Sequence, residues 1–224
     1  MQGFIPSAGT NKIKEEQKNK IIQAKLQLLD QFSYFSSALK SRLSDYKPVK
    51  VLLDEKFQNY NNGWENTNNT NYISTIEDGR YYLEDLQNSA IFKGIFLHYN
   101  NIILRCNVRF EKGEKRFDGG IFIQNNNGTI YFFGIQKNNE YSLGNNGKWD
   151  YLVNNKQNNA IYSNTINQLE ILITNQTISY FINGNFIQTN SYSENLSGTM
   201  IGFFVDGPSD EFSFDNLKVI AISK

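Results

Sequence analysis

Hydrophobic and polar positions divide this 224-residue chain into two textures. From Asn11 to Tyr46 the pattern is helical. Leu28, Phe32, Phe35, Leu39 and Tyr46 fall at spacings of four, three, four and seven, with Leu29 and Leu43 beside them, so one apolar stripe runs along a helix. Thr10 or Asn11 can cap its start, and Glu15 and Glu16 place negative charge where the helix dipole favours it. No glycine or proline interrupts residues 10–47, so the spacing predicts one long rod on the order of 50 Å. Its polar first half, Lys12–Lys25, should project from the rest of the chain. Three roles are open to the stripe: packing on the following domain, docking another chain as a coiled coil, or lying on a membrane surface.

After Pro48 the period changes to two. Cys106, Val108 and Phe110 point to one face of a strand, and Arg105, Asn107 and Arg109 to the other. Further short runs follow at Gly120–Gln124, Ile130–Gln136, Tyr141–Leu143, Gln168–Thr174, Ile178–Ile182, Met200–Val205 and Phe212–Ile220. Asn126-Asn127-Gly128, Asn145-Asn146-Gly147 and Asn183-Gly184 punctuate them, and Asn-Gly suits hairpins that need positive φ at both central residues. Many strands with no intervening helices predict an antiparallel sandwich. The expected fold is therefore all-β, preceded by one long N-terminal α-helix, with residues 1–47 helical and 48–224 forming the sandwich.

The order of motifs resembles a known superfamily. Leu53-Asp54-Glu55-Lys56-Phe57, Asn62-Gly63-Trp64 and Asp78-Gly79-Arg80-Tyr81-Tyr82 are similar to the opening of concanavalin A-like (laminin G-like) jelly-roll domains. Gly119-Gly120-Ile121-Phe122-Ile123, Tyr131-Phe132-Phe133-Gly134-Ile135 and Asn146-Gly147-Lys148-Trp149 resemble the middle, and Phe214-Asp215-Asn216-Leu217-Lys218-Val219 the end. The variety it looks most like is the one attached to bacterial lipoproteins, sensor kinases and the 3-keto-disaccharide hydrolase family. That resemblance covers about residues 51–222 and implies a jelly-roll sandwich with an extracytoplasmic or cell-surface leaning. It also implies a calcium ion where the first and last strands meet, with Asp54 or Glu55 and Asp215 as its ligands.

Composition changes the picture in one respect. Lys+Arg and Asp+Glu both total 22, but residues 1–50 carry a net +5 and residues 51–224 a net −5. Zero overall charge gives no electrostatic case for nucleic acid as a partner. The same division holds for asparagine: 30 of the 32 follow residue 50, where turns need them. Met1–Ala8 does not read as a signal peptide, and no run of about 18 apolar residues predicts a transmembrane segment.

The chemistry of the chain is sparse. Related glucanases place carboxylates in a Glu-x-Asp-x-x-Glu arrangement on the concave sheet, and that spacing does not occur here. Glu84-Asp85 and Asp210-Glu211 are adjacent pairs that a strand sends to opposite faces. His98, the single histidine, reads as a surface residue, and Cys106 as a buried, inert thiol. The expected function is a non-catalytic recognition module for carbohydrate or a protein surface. Trp64, Trp149 and Tyr151 beside turns, and Arg105, Asn107 and Arg109 on a strand face, are its candidate contacts. Leu28, Phe32, Phe35, Leu39 and Tyr46 would carry a partner or an oligomer contact. A glycoside-acting enzyme of the 3-keto-disaccharide hydrolase type and a structural assembly component are the alternatives.

Overall fold

The computed structural model describes residues 13, 15–23, 26, 30, 35–43, 45–59, 62–87, 89–113, 118–145 and 150–224, with backbone alone at 150 and 151. Residues 15–23 form a helix (α1), all exposed, and Ser37–Lys40 a short second one (α2). Fifteen strands follow: β1 Lys47–Glu55, β2 Thr67–Asn68, β3 Tyr72–Glu77, β4 Arg80–Asp85, β5 Ile91–Tyr99, β6 Ile102–Lys112, β7 Gly119–Asn125 and β8 Ile130–Ile135, then β9 Glu140–Asn145, β10 Asp150–Gln157, β11 Asn167–Thr174, β12 Thr177–Ile182, β13 Asn185–Ser191, β14 Gly198–Val205 and β15 Glu211–Ser223. Among the described residues no helix is long and apolar enough to cross a membrane.

The strands build two antiparallel sheets. The first runs β13-β12-β11-β6-β15-β4-β3-β2, and β1 joins it on β15. Thirteen-residue β15 is long enough to take two partners end to end on one side: β4 along Glu211–Phe214 and β1 along Leu217–Ser223. The second runs β10-β9-β8-β7-β14-β5.

Inward-facing residues of both sheets share one core, which includes Leu104, Val108, Ile121, Ile123, Phe203, Phe214 and Val219. At its centre Phe203 of β14 stacks on Phe214 of β15, ring centroids 4.2 Å apart. Such pairing adds to the apolar burial that holds the sheets together.

Local chemistry sets the hairpins. Asn183 and Gly184 both adopt positive φ, 47° and 78°, and join β12 to β13 as the Asn-Gly pair predicts. Asn183 also ties the turn to its surroundings, accepting from the Gln168 amide and donating to the Ala160 carbonyl. Asp78 and Gly79, at 49° and 73°, do the same between β3 and β4.

The N-terminal segment departs from the expected rod. Ser36 is extended (φ −60°, ψ 151°), so the helical path is broken just before α2, and its hydroxyl accepts a hydrogen bond from Leu39 N at 3.2 Å. The cause is tertiary. Phe35, Leu39 and Leu43 are buried on the outer face of the first sheet, against Ile103, Leu172, Phe181, Ile220 and Ile222, with Tyr46 beside them. Of the stripe expected to serve a partner, Phe35 and Leu39 are thus buried in their own chain, and Tyr46 is partly so. Leu28 and Phe32 lie outside the described residues.

Candidate functional site

The outer face of the first sheet carries the polar row of β6. Arg105, Asn107 and Arg109 do point the same way, but each meets a partner of the same sheet. Asn107 donates to Asp215 at 2.6 Å, and Arg109 lies 3.6 Å from Glu111. Arg105 stands opposite Glu170 in the β6–β11 ladder, its guanidinium 5.8 Å from the Phe35 ring. Glu170 is fully buried; burial pushes its carboxyl up, while Ser36, Arg105 and Lys40 favour the charged form.

Asp54 and Asp215, the residues the resemblance offered to calcium, face cations in the same network. Asp54 lies 3.2 Å from Lys218 and 3.5 Å from Lys56, and Asp215 lies 3.4 Å from Arg80. Asp215 accepts from Asn216 as well. Among the described residues there is no group of three or more His, Cys, Asp or Glu side chains placed to hold a metal. Asp54 and Asp215 act here as members of a charge-balanced sheet face.

Trp64 is not a surface aromatic. It is 2% exposed, stacked on Phe203 at 4.8 Å and edge-on to Phe57 at 5.6 Å. The chain after β1 folds inward at Phe57 and carries Trp64 into the intersheet core, so the expectation of ligand contact gives way to packing. Trp149 and the Tyr151 side chain lie outside the described residues. His98 is exposed at the end of β5. Cys106 is fully buried, which raises its thiol well above the ordinary range and leaves it unreactive.

The outer face of the second sheet is the arrangement the sequence reading did not foresee. Three rows cross it: Phe96, Met200, Gln124 and Ile130; then Gly94, Gly202, Phe122, Phe132 and Gly144; then Phe92, Phe204, Gly120, Gly134 and Ser142. Large rings alternate with glycines, and Phe122, Phe132 and Phe204 are buried as a cluster of their own. A β-carbon on Gly134 would come within 2.7 Å of the Phe204 ring, so the rings lie down over bare backbone. The sequence did carry a trace of this: β7, β8 and β14 read as continuous apolar runs rather than alternating ones, as strands covered on both faces do.

At one end of that face the polarity reverses. Asp118, just before β7, is 4% exposed, and its Oδ1 has no hydrogen-bond partner among the described residues. Gln136 and Ser142 are buried beside it, and Asn155 on β10 accepts from Gln136 Nε2 at 2.6 Å. Burial pushes the Asp118 carboxyl up to about 7; Ser142 and Gln136 oppose the shift, and the charges of Asp206 and Glu140 add to it. A carboxyl poised there can hold or release a proton near neutrality.

Comparison with known proteins follows the same lines. The chain resembles a Bacillus subtilis protein of unknown function with a galectin-like fold (11% identity, TM-score 0.58, covering 80% of this chain and 99% of that one). It also resembles the catalytic domain of an endo-1,3-β-glucanase (laminarinase) from Thermotoga petrophila (8%, 0.56, 80% and 99%) and a Bacillus licheniformis β-glucanase (11%, 0.53, 78% and 99%). A sialidase matches too (8%, TM-score 0.51), but the chain spans 67% of itself and only 16% of that longer protein. No curated protein matches the chain. At these identities the likeness is one of fold: a concanavalin A-like jelly roll. A family model described as a 3-keto-α-glucoside-1,2-lyase-like domain matches residues 48–220, the whole sandwich but for its last residues, and the chain belongs to that family.

Proposed function

We propose that the chain is a non-catalytic carbohydrate-recognition module. The observation that carries this reading is the outer face of the six-stranded sheet, whose three central rows hold phenylalanine, isoleucine, methionine and glycine with Gln124 and Ser142 as their polar members. Glycoside cleavage by the two-carboxylate route needs a pair of carboxyl groups roughly 5–10 Å apart across the substrate. Of the described carboxylates of the opposite outer face, Glu111, Asp54 and Asp215 are each within 4.0 Å of a lysine or arginine, and Glu170 is fully buried opposite Arg105. The carbohydrate part of the reading draws on the fold neighbours, two of which are glucanases by name.

One observation favours a second reading, an enzyme acting on a glycoside: the Asp118 carboxyl, titrating at about 7, has the proton affinity of a general base. One experiment separates the two. The full chain is incubated with neutral polysaccharides and with a 3-keto-α-glucoside, and bound glycan and released product are both measured. Binding without product is the expected result. Product that disappears in Asp118→Asn would establish the enzyme and end the recognition reading.

In this reading the N-terminal segment supplies location. Ile22 and Leu26, four residues apart in the sequence and 43% and 53% exposed, share one face of a helix, and that pair suits a partner helix. Sedimentation of wild type and Ile22→Glu tests it. A larger mass for wild type alone supports self-association through the helix.

A further inference from the structure

The end of the sandwich where β5 turns into β6 has a surface unlike either sheet face. Two clefts of about 420 and 430 Å³ adjoin there and share Asn100 and Asn101 as their common wall. The first continues past His98, Asn126 and Ser223, over an apolar floor that includes Leu52 and Ile222. The second continues past Asn175, Gln176, Asn195 and Ser197. Four connections converge on this end, and the backbone holds them together. Ile222 N donates to Asn101 O, Asn126 N to Ser197 O, and Leu196 N to Asn175 O, at 3.0 Å each. Tyr99 anchors the corner from beneath, its hydroxyl donating to Gln124 O at 3.1 Å.

Among the described residues, no Lys, Arg, Asp or Glu lines either cleft. Apart from His98, charged ligands such as phosphates, carboxylates or ammonium groups would find no counter-charge among these residues. Carboxamides and hydroxyls instead offer a donor and an acceptor on each side chain, which matches a ligand whose own groups do both. Neighbouring hydroxyls on a neutral sugar ring are such groups, and the apolar floor suits the C–H side of the ring. One acceptor is waiting: Asn101 Oδ1, at the wall between the clefts, is buried and has no hydrogen-bond partner among the described residues. Leaving such an atom unpaired is unfavourable, and rotation of the Asn101 side chain toward the cleft would let a ligand hydroxyl satisfy it.

We propose that these two clefts form one binding site for a neutral oligosaccharide, with Asn101 at the junction between two sugar units. The site rests on the carbohydrate reading given above and adds its place and ligand class. Both lobes lie within the size range of small-ligand sites. A chain of two or more sugars therefore spans them, whereas a monosaccharide fills one lobe only. With no exposed aromatic among the lining residues, each lobe binds weakly, and affinity grows with the number of sugars engaged.

A neutral-glycan array on the full chain, followed by amide NMR titration with glucose, lactose, cellotriose, laminaritriose and the strongest array hit, tests the site. The expected result is binding that strengthens from mono- to trisaccharide, with shifts confined to residues 49, 52, 98–101, 126, 175–176, 195–198 and 221–223. Asn101→Leu should weaken it by at least about tenfold. Asn100→Ala and Gln176→Ala, at exposed side chains, provide the same readout if Asn101→Leu does not fold. A glycan that binds wild type and all three variants alike, or shifts residues elsewhere, overturns this site while leaving the carbohydrate reading intact. No binding by any neutral glycan overturns both.

Discussion

The ring of Phe122 lies against the bare backbone of Gly202, so closely that a β-carbon on Gly202 would come within 2.6 Å of the ring. The same β-carbon would lie 2.1 Å from Lys93 O and 2.5 Å from Gly94 Cα, atoms of the neighbouring strand that cannot step aside. Gly202→Ala is therefore expected to destabilise the fold by about 1–3 kcal/mol, or more if β14 and β5 must separate. Chemical denaturation of wild type and variant checks this.

Asp118 makes stability depend on pH. An ordinary aspartate ionises near 4, and burial raises this one to about 7. Below about pH 4 the carboxyl is protonated in both folded and unfolded chains, so its effect is absent. Between about pH 4 and 7 the unfolded chain releases the proton while the folded chain keeps it, and stability falls as pH rises, levelling off above 7. Its ceiling is about 4 kcal/mol at 1.36 kcal/mol per unit. Asp118→Asn should remove that part of the slope, read as the difference between the two denaturation midpoints across the range.

Trp64 packs in the core at 2% exposure, against Phe203, Phe57 and Tyr81. Trp64→Ala should cost about 3–5 kcal/mol through the cavity it leaves. Wherever the variant remains folded, glycan affinity should be unchanged, and titration at reduced temperature measures both quantities. Lost affinity in a folded variant would return Trp64 to the binding surface.

Leu39 is fully buried between α2 and the apolar patch of the first sheet. Leu39→Ala should cost about 2–5 kcal/mol. Hydrogen exchange should show the loss first in residues 36–43, because four helical residues have little stability apart from that patch. Equal protection of that segment in both proteins would contradict the packing.

Much of this architecture can be read from neighbouring residues. Alternation along β6, the Asn183-Gly184 turn and the run of short strands are local signals, since side-chain direction and positive φ depend on a few consecutive residues. The sandwich, most of its strands and the burial of Cys106 follow from them. The site chemistry was less legible. Arg105, Asn107 and Arg109 do share a face, and Glu170 was legible as a partner of that row, but Asp215 and Glu111, the partners of Asn107 and Arg109, could not be assigned without the ladder.

The period of the chain by itself established a helical lead-in, an all-β body and the positions of several hairpins. Tertiary structure decided which surfaces are used. An aromatic beside an Asn-Gly turn reads the same whether it faces water or the core, and only the inward fold at Phe57 placed Trp64. A continuous stripe from Leu28 to Tyr46 reads as one rod, yet Ile103, Leu172, Phe181 and Ile220, gathered from four strands, draw Phe35 and Leu39 down and break the helix at Ser36. Asp118 and Asn101 likewise acquire their character from residues far along the chain. Burial and desolvation belong to neighbours in space, and no window of sequence contains them.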